Sequence, residues 1–182
     1  LDGFRSTGLP RGLRPRLEHA EFFAPGDIEQ AAALGVVASC PPNFIGEWGR
    51  PGGLYAKRLG AERGAYSNPY RSLRAAGIPL AFGSDHMPFG PRNGLHWAIH
   101  APHPEQRLAP TEALHAYTAG AAYAAGEEGE RGSLLPGMAA DLAVLDGDPR
   151  DPDGSPRARS VVLTVVAGRI VHDPHALTHC QP

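Results

Sequence analysis

The chain has 182 residues, enough for one domain with a real core, and its 17 Lys+Arg against 19 Asp+Glu leave a net charge of −2. That balance offers no electrostatic case for binding nucleic acid or an anionic membrane. No apolar run approaches the ~20 residues of a spanning helix, and the first residues do not lead us to expect a secretory signal. Only Lys57 of the basic residues is lysine. The Arg-, Ala-, Gly- and Pro-rich composition reads as codon bias rather than a phosphate-binding design. Cys40 and Cys180 lie far apart and form no metal-type pair, so a reducing, cytoplasmic setting is expected. Because the chain begins at Leu1 rather than Met, we expect a piece of something longer, or a processed or trimmed chain.

Residues 14–20 read as a strand that ends in an imidazole, Arg16-Leu17-Glu18-His19-Ala20. Asp27 with Gln30 three positions on has the pattern of a capping box, and Gly35 is a natural stop for the helix it would open. Val36-Val37-Ala38-Ser39 is a second buried strand, closed by Pro41-Pro42. From Asn43 to about Leu54 a Gly-, Pro- and aromatic-rich loop is expected, with its first part, through Trp48, shaping a pocket. Residues 69–76 read as a helix stopped by Gly77, and residues 78–82 as a third strand ending in Gly83-Ser84-Asp85. Pro110 suits the first turn of a further helix, with Leu114, Tyr117 and Ala121 on one face.

After Glu130 the texture changes. Ser133-Leu134-Leu135-Pro136-Gly137 is a turn, residues 141–145 a strand and residues 147–156 a Pro/Asp/Gly loop. Residues 161–166, Ala167-Gly168 and 169–172 form a hairpin, and residues 172–182 read as a frayed end. Continuous apolar strands joined by helices predict a parallel α/β sheet, here followed by a small β unit. An imidazole and a carboxylate, each ending a different strand, are how a barrel enzyme assembles a metal site.

These motifs resemble the C-terminal part of the metal-dependent amidohydrolase superfamily, with amidohydrolase family 3 as the nearest branch. The resemblance rests on Arg16-Leu17-Glu18-His19-Ala20, Gly35-Val36-Val37-Ala38-Ser39, Tyr70-Arg71-Ser72-Leu73, Gly83-Ser84-Asp85 and Glu112-Ala113-Leu114-His115-Ala116-Tyr117-Thr118. It rests most specifically on the run from Gly132 through Leu135-Pro136-Gly137 and Ala140-Asp141-Leu142 to Asp146, and it extends to the closing Thr164–Val171 hairpin. It implies a partial (β/α)8 barrel, its last three strand-helix units within residues 1–130. Residues 131–182 would then be strands of a small composite β-sandwich domain.

The resemblance makes His19 a metal ligand and Asp85 both a ligand and the group that moves the proton. The expected cofactor is a divalent metal, zinc in the first instance. The implied reaction is hydrolysis of a non-peptide carbon–nitrogen bond in a small molecule. The family's other ligands have no counterpart here, and the chain contains no His-x-His. We therefore expect the N-terminal portion of the same polypeptide as the missing partner, and the chain alone to be inactive. The alternative is a truncated, non-catalytic remnant or packing module. An unrelated small α/β binding domain would leave the run 136–146 unexplained.

Taken alone, His19 could be a buried histidine bonded to backbone, and Asp85 a turn or cap residue. Glu18, next to His19, points to the other face of a strand and so cannot orient it. His86 follows Asp85 and is a candidate for substrate contact. His96 and His100 have i, i+4 spacing, with His103 beyond, but lack the glutamate of the zinc-protease motif and precede Pro102 and Pro104. They read as helix-face or loop histidines near the mouth of the site. Ser39 and Cys40 have no identifiable base, which argues against nucleophilic catalysis.

Overall fold

A computed structural model of the chain describes residues 1–8, 12–151 and 154–174. Three strands, β1 (Arg16–Glu18), β2 (Val37–Cys40) and β3 (Leu80–Phe82), form a parallel sheet in the order β1-β2-β3. Helices α1 (Asp2–Thr7), α2 (Asp27–Ala33), α3 (Asn43–Glu47), α4 (Leu54–Leu59), α5 (Ala61–Ala65) and α6 (Tyr70–Ala75) precede β3 in the chain. Helices α7 (Pro91–Ile99), α8 (Pro110–Tyr117) and α9 (Ala119–Ala125) follow it. Helical crossovers are what parallel strands require. Val37, Ala38 and Cys40 of the central strand are buried, and Ala31, Ile45, Tyr70, Leu73, Ala98 and Ala113 pack with the sheet into one core.

Register fixes where the strands deliver the chain. Glu18 lies level with Ser39, and Ser39 with Ala81. His19 and Gly83-Ser84-Asp85 therefore emerge at the same, C-terminal edge of the sheet.

Three local expectations are corrected. Asp27 is not the cap of α2: Gly26, at φ 84°, precedes the helix, and the Asp27 carboxylate turns back to accept from the Ala24 N–H at 2.7 Å. A glycine enters that left-handed conformation without a Cβ clash, so the chain turns into the helix one residue earlier than the capping box implies. The expected loop after Asn43 begins as helix α3, with Asn43, Phe44 and Ile45 buried, and α4 starts at its end. Pro42, at φ −61°, is already set for a helical turn, and burial of Phe44 and Ile45 holds it. Finally, the helix opened by Pro110 stops at Thr118 (φ −116°, ψ −94°), so Ala121 belongs to α9, and the fully buried positions of α8 are Ala113 and Ala116.

The second sheet is antiparallel, in the order β4 (Leu142–Leu145), β5 (Val161–Val166), β6 (Arg169–His172). Ala167 and Gly168, at φ 50° and 76°, make the two-residue turn that suits the twist of a hairpin. Val144, Val166, Ile170 and Val171 are exposed on this sheet. The segment leading into β5 docks on α7: a short 3-10 turn (Pro156–Ala158) places the Arg157 guanidinium 4.6 Å from the Trp97 ring, and Ser155 Oγ shares a 3.0 Å hydrogen bond with His96 Nδ1. Residues 175–182, and with them Cys180, lie outside the described residues. Among the described residues, no helix is long and apolar enough to cross a membrane.

Candidate metal centre

His19 leaves β1 at φ 67° and Asp85 follows β3 at φ 43°, with Ala20 (47°) and His86 (65°) also left-handed. Four non-glycine residues at positive φ, in two pairs at one sheet edge, are the kind of backbone strain that collects at functional sites. The outcome is a short gap: His19 Nε2 lies 3.8 Å from Asp85 Oδ2. Both side chains are about half exposed, at 49% and 53%, so the gap opens to solvent.

The other ring nitrogen faces a second carboxylate. His19 Nδ1 is 3.6 Å from Glu21 Oε1, and Glu21 is only 15% exposed. Its other oxygen, Oε2, accepts from the Tyr55 hydroxyl. Burial pushes the Tyr55 phenol up, and the neighbouring Glu21 pushes it further, so Tyr55 stays a donor. The Glu21 carbonyl accepts from the Asn68 N–H at 2.7 Å, and Asn68 is fully buried at φ 51°. Glu21 is thus held by both its side chain and its backbone. Phe44 stands 5.5 Å from the His19 ring, centroid to centroid, and packs at a tilt against Trp48 at 4.2 Å, so α3 and the residue after it supply an aromatic wall.

Sequence reasoning brought His19 and Asp85 together and correctly set Glu18 aside. Glu18 bonds Arg16 at 2.9 Å on the exposed face of β1. It missed Glu21, Tyr55 and Asn68. Glu21 lies past the end of β1, where His19 and Ala20 turn left-handed, so the alternation of a strand could not place it. Tyr55 and Asn68 carried no signal either. His86 is exposed beside Asp85, its ring 5.8 Å from that of Phe89. His96 is engaged by Ser155 rather than by this pair. Cys40 is 2% exposed, and burial pushes its thiol far up, which fits a core residue and not a nucleophile.

The donor set suits a divalent cation. Two metal–ligand bonds of about 2.0–2.2 Å span up to about 4 Å, and the gap between His19 Nε2 and Asp85 Oδ2 falls within that. A carboxylate on the far nitrogen of a ligating histidine is the usual supporting arrangement. Among the described residues, however, no group of three or more His, Cys, Asp or Glu side chains is placed to hold a metal.

The sequence profile of the Amidohydrolase family matches residues 1–172. The chain belongs to amidohydrolase family 3. Among curated proteins, the chain is 34% identical over 185 residues to LONG AFTER FAR-RED 3 of Arabidopsis thaliana, covering 93% of this chain and 31% of that one. It is 31% identical over 163 residues to N-substituted formamide deformylase of Arthrobacter pascens, covering 84% and 30%. Among solved structures, it superposes with a TM-score of 0.71 and 28% identity on an uncharacterised metal-dependent hydrolase of Pyrococcus furiosus, covering 82% of this chain and 31% of that one. The chain thus spans about a third of the length of the curated relatives it matches.

Proposed function

We propose that this amidohydrolase chain carries one side of a metal-dependent site that hydrolyses non-peptide carbon–nitrogen bonds in small molecules. The observation that carries the reading is the His19–Asp85 pair, 3.8 Å apart at the C-terminal edge of a parallel sheet. That edge is where barrel enzymes place their chemistry. The three strands are then the last three of a (β/α)8 barrel, within residues 1–130, and residues 131–182 belong to a composite β domain. The metal-dependent hydrolase of similar fold and the deformylase of similar sequence support both the metal and the bond class.

In this reading His19 and Asp85 would hold a divalent cation, for which we propose zinc. A cation held there supplies Lewis acidity to the carbonyl and to the attacking water. Asp85 accepts the proton of that water as its oxygen adds to the amide-type carbon, then returns the proton to the departing nitrogen. Glu21 keeps the His19 ring turned so that Nε2 faces Asp85. His86 is offered to the substrate from the same turn. The remaining ligands come from polypeptide beyond these 182 residues.

The test is Asp85→Asn in the full-length enzyme, loaded with zinc and assayed first on an N-substituted formamide. Asn keeps the size and one acceptor but loses the charge and the basicity. General-base loss lowers the rate by about 10²–10⁴-fold, and we expect kcat and kcat/KM to fall together while KM changes little. If Asp85 were only a turn residue, Asn would replace it almost without cost, so a near-wild-type kcat refutes the assignment.

A further inference from the structure

We infer that Asn43, at the start of α3, is a positioning residue that latches the Asp85 turn in its strained, left-handed conformation; this rests on the catalytic reading of Asp85 above. Asn43 is fully buried. Its Nδ2 donates to the carbonyl of Pro88 at 2.6 Å and to that of Ser84 at 3.4 Å, so one amide group spans the turn from the residue before Asp85 to the third residue after it. The Tyr117 hydroxyl adds a 3.4 Å bond to the Gly83 carbonyl. Three carbonyls of the segment 83–88 are thus held by two side chains from elements outside it. Asp85 and His86, at φ 43° and 65°, lie between the outer two Asn43 contacts.

The surroundings are shaped for this contact. A Cβ on Gly94 of α7 would come within 1.7 Å of Tyr117 Oη and 2.6 Å of Asn43 Oδ1, so only glycine leaves room for both groups. Asn43 Oδ1 is itself buried without a hydrogen-bond partner among the described residues. An unsatisfied buried acceptor costs stability, and an apolar residue of the same shape avoids that cost. A packing role alone therefore favours leucine at this position, whereas holding two carbonyls requires the amide.

Asn43→Leu and Asn43→Ala separate the two roles. Amide hydrogen exchange followed by mass spectrometry, on the full-length enzyme, reads the segment 83–88 against β2. The wild type should protect the Met87 amide, which donates to the Ser84 carbonyl at 3.1 Å. In both variants that protection should fall about tenfold, with β2 unchanged. In the full-length enzyme kcat should fall about 10–100-fold, the usual effect of removing a group that supports a site residue, with KM within about threefold. Asn43→Leu should keep the thermal midpoint of the wild type. An unprotected Met87 in the wild type, unchanged exchange in the variants, or equal loosening of β2 overturns the latch. So does faster exchange with an unaltered kcat while Asp85→Asn abolishes turnover. If Asp85→Asn itself leaves kcat intact, the catalytic reading fails, and exchange at 83–88 still decides whether Asn43 holds the turn.

Discussion

Two side chains 66 positions apart meet across 3.8 Å because each strand hands its chain to a left-handed pair at the same sheet edge. Around that contact, the residue with most leverage is Glu21. It faces His19 Nδ1 on one side and takes the Tyr55 hydroxyl on the other. A neutral Glu21→Gln keeps the shape and removes the charge that orients the ring. Zinc affinity of the full-length enzyme should then fall about 10–100-fold, read by competition with a chromogenic chelator. An unchanged affinity would reduce Glu21 to a packing residue. Tyr55→Phe should act in the same direction and more weakly, because the carboxylate itself remains.

At the scale of elements, α7 joins the two halves of the chain. Its His96 sits against Ser155, and the Arg157 guanidinium lies over neighbouring Trp97. Burial, reinforced by the charge of Arg157 and by His100, lowers the His96 pKa from its usual 6.5 to about 4. The folded chain therefore keeps His96 neutral where the unfolded chain protonates it. Between pH 6.5 and 4 the unfolded state binds more protons, so the contribution of His96 to stability is complete above that window and declines as pH falls through it. Comparing the wild type with His96→Gln by thermal melts at pH 7, 5.5 and 4.5 checks this. The wild type should lose ground against the variant as pH drops, and a constant difference would show that the docking of residues 154–160 on α7 does not depend on a neutral ring.

For the whole molecule, β1 and β3 each have a single neighbour among the described residues, and the second sheet exposes Val144, Ile170 and Val171. Open strand edges and uncovered apolar faces favour association. The isolated 182-residue chain should therefore be marginally stable and prone to aggregate, and it should bind zinc weakly, since a catalytic zinc normally takes three protein ligands. Size-exclusion chromatography with light scattering, a thermal scan and metal analysis test this together. A monodisperse monomer with a sharp reversible transition and stoichiometric zinc would show that these residues form a self-sufficient site.

By itself the sequence determined the order of the strands, the helical crossovers between them and the terminal hairpin, because apolar runs, glycine stops and turn residues act locally. It also singled out His19 and Asp85, since both follow directly on strands whose pattern is clear. Only the tertiary structure decided that residues 43–47 are helical, because burial of Phe44 and Ile45 outweighs the glycine and proline content of that stretch. Only it brought Tyr55 to Glu21, and Asn43 to the carbonyls of Ser84 and Pro88. Those contacts join residues 34 to 45 positions apart, and no periodicity along the chain encodes which carbonyl a buried amide will find.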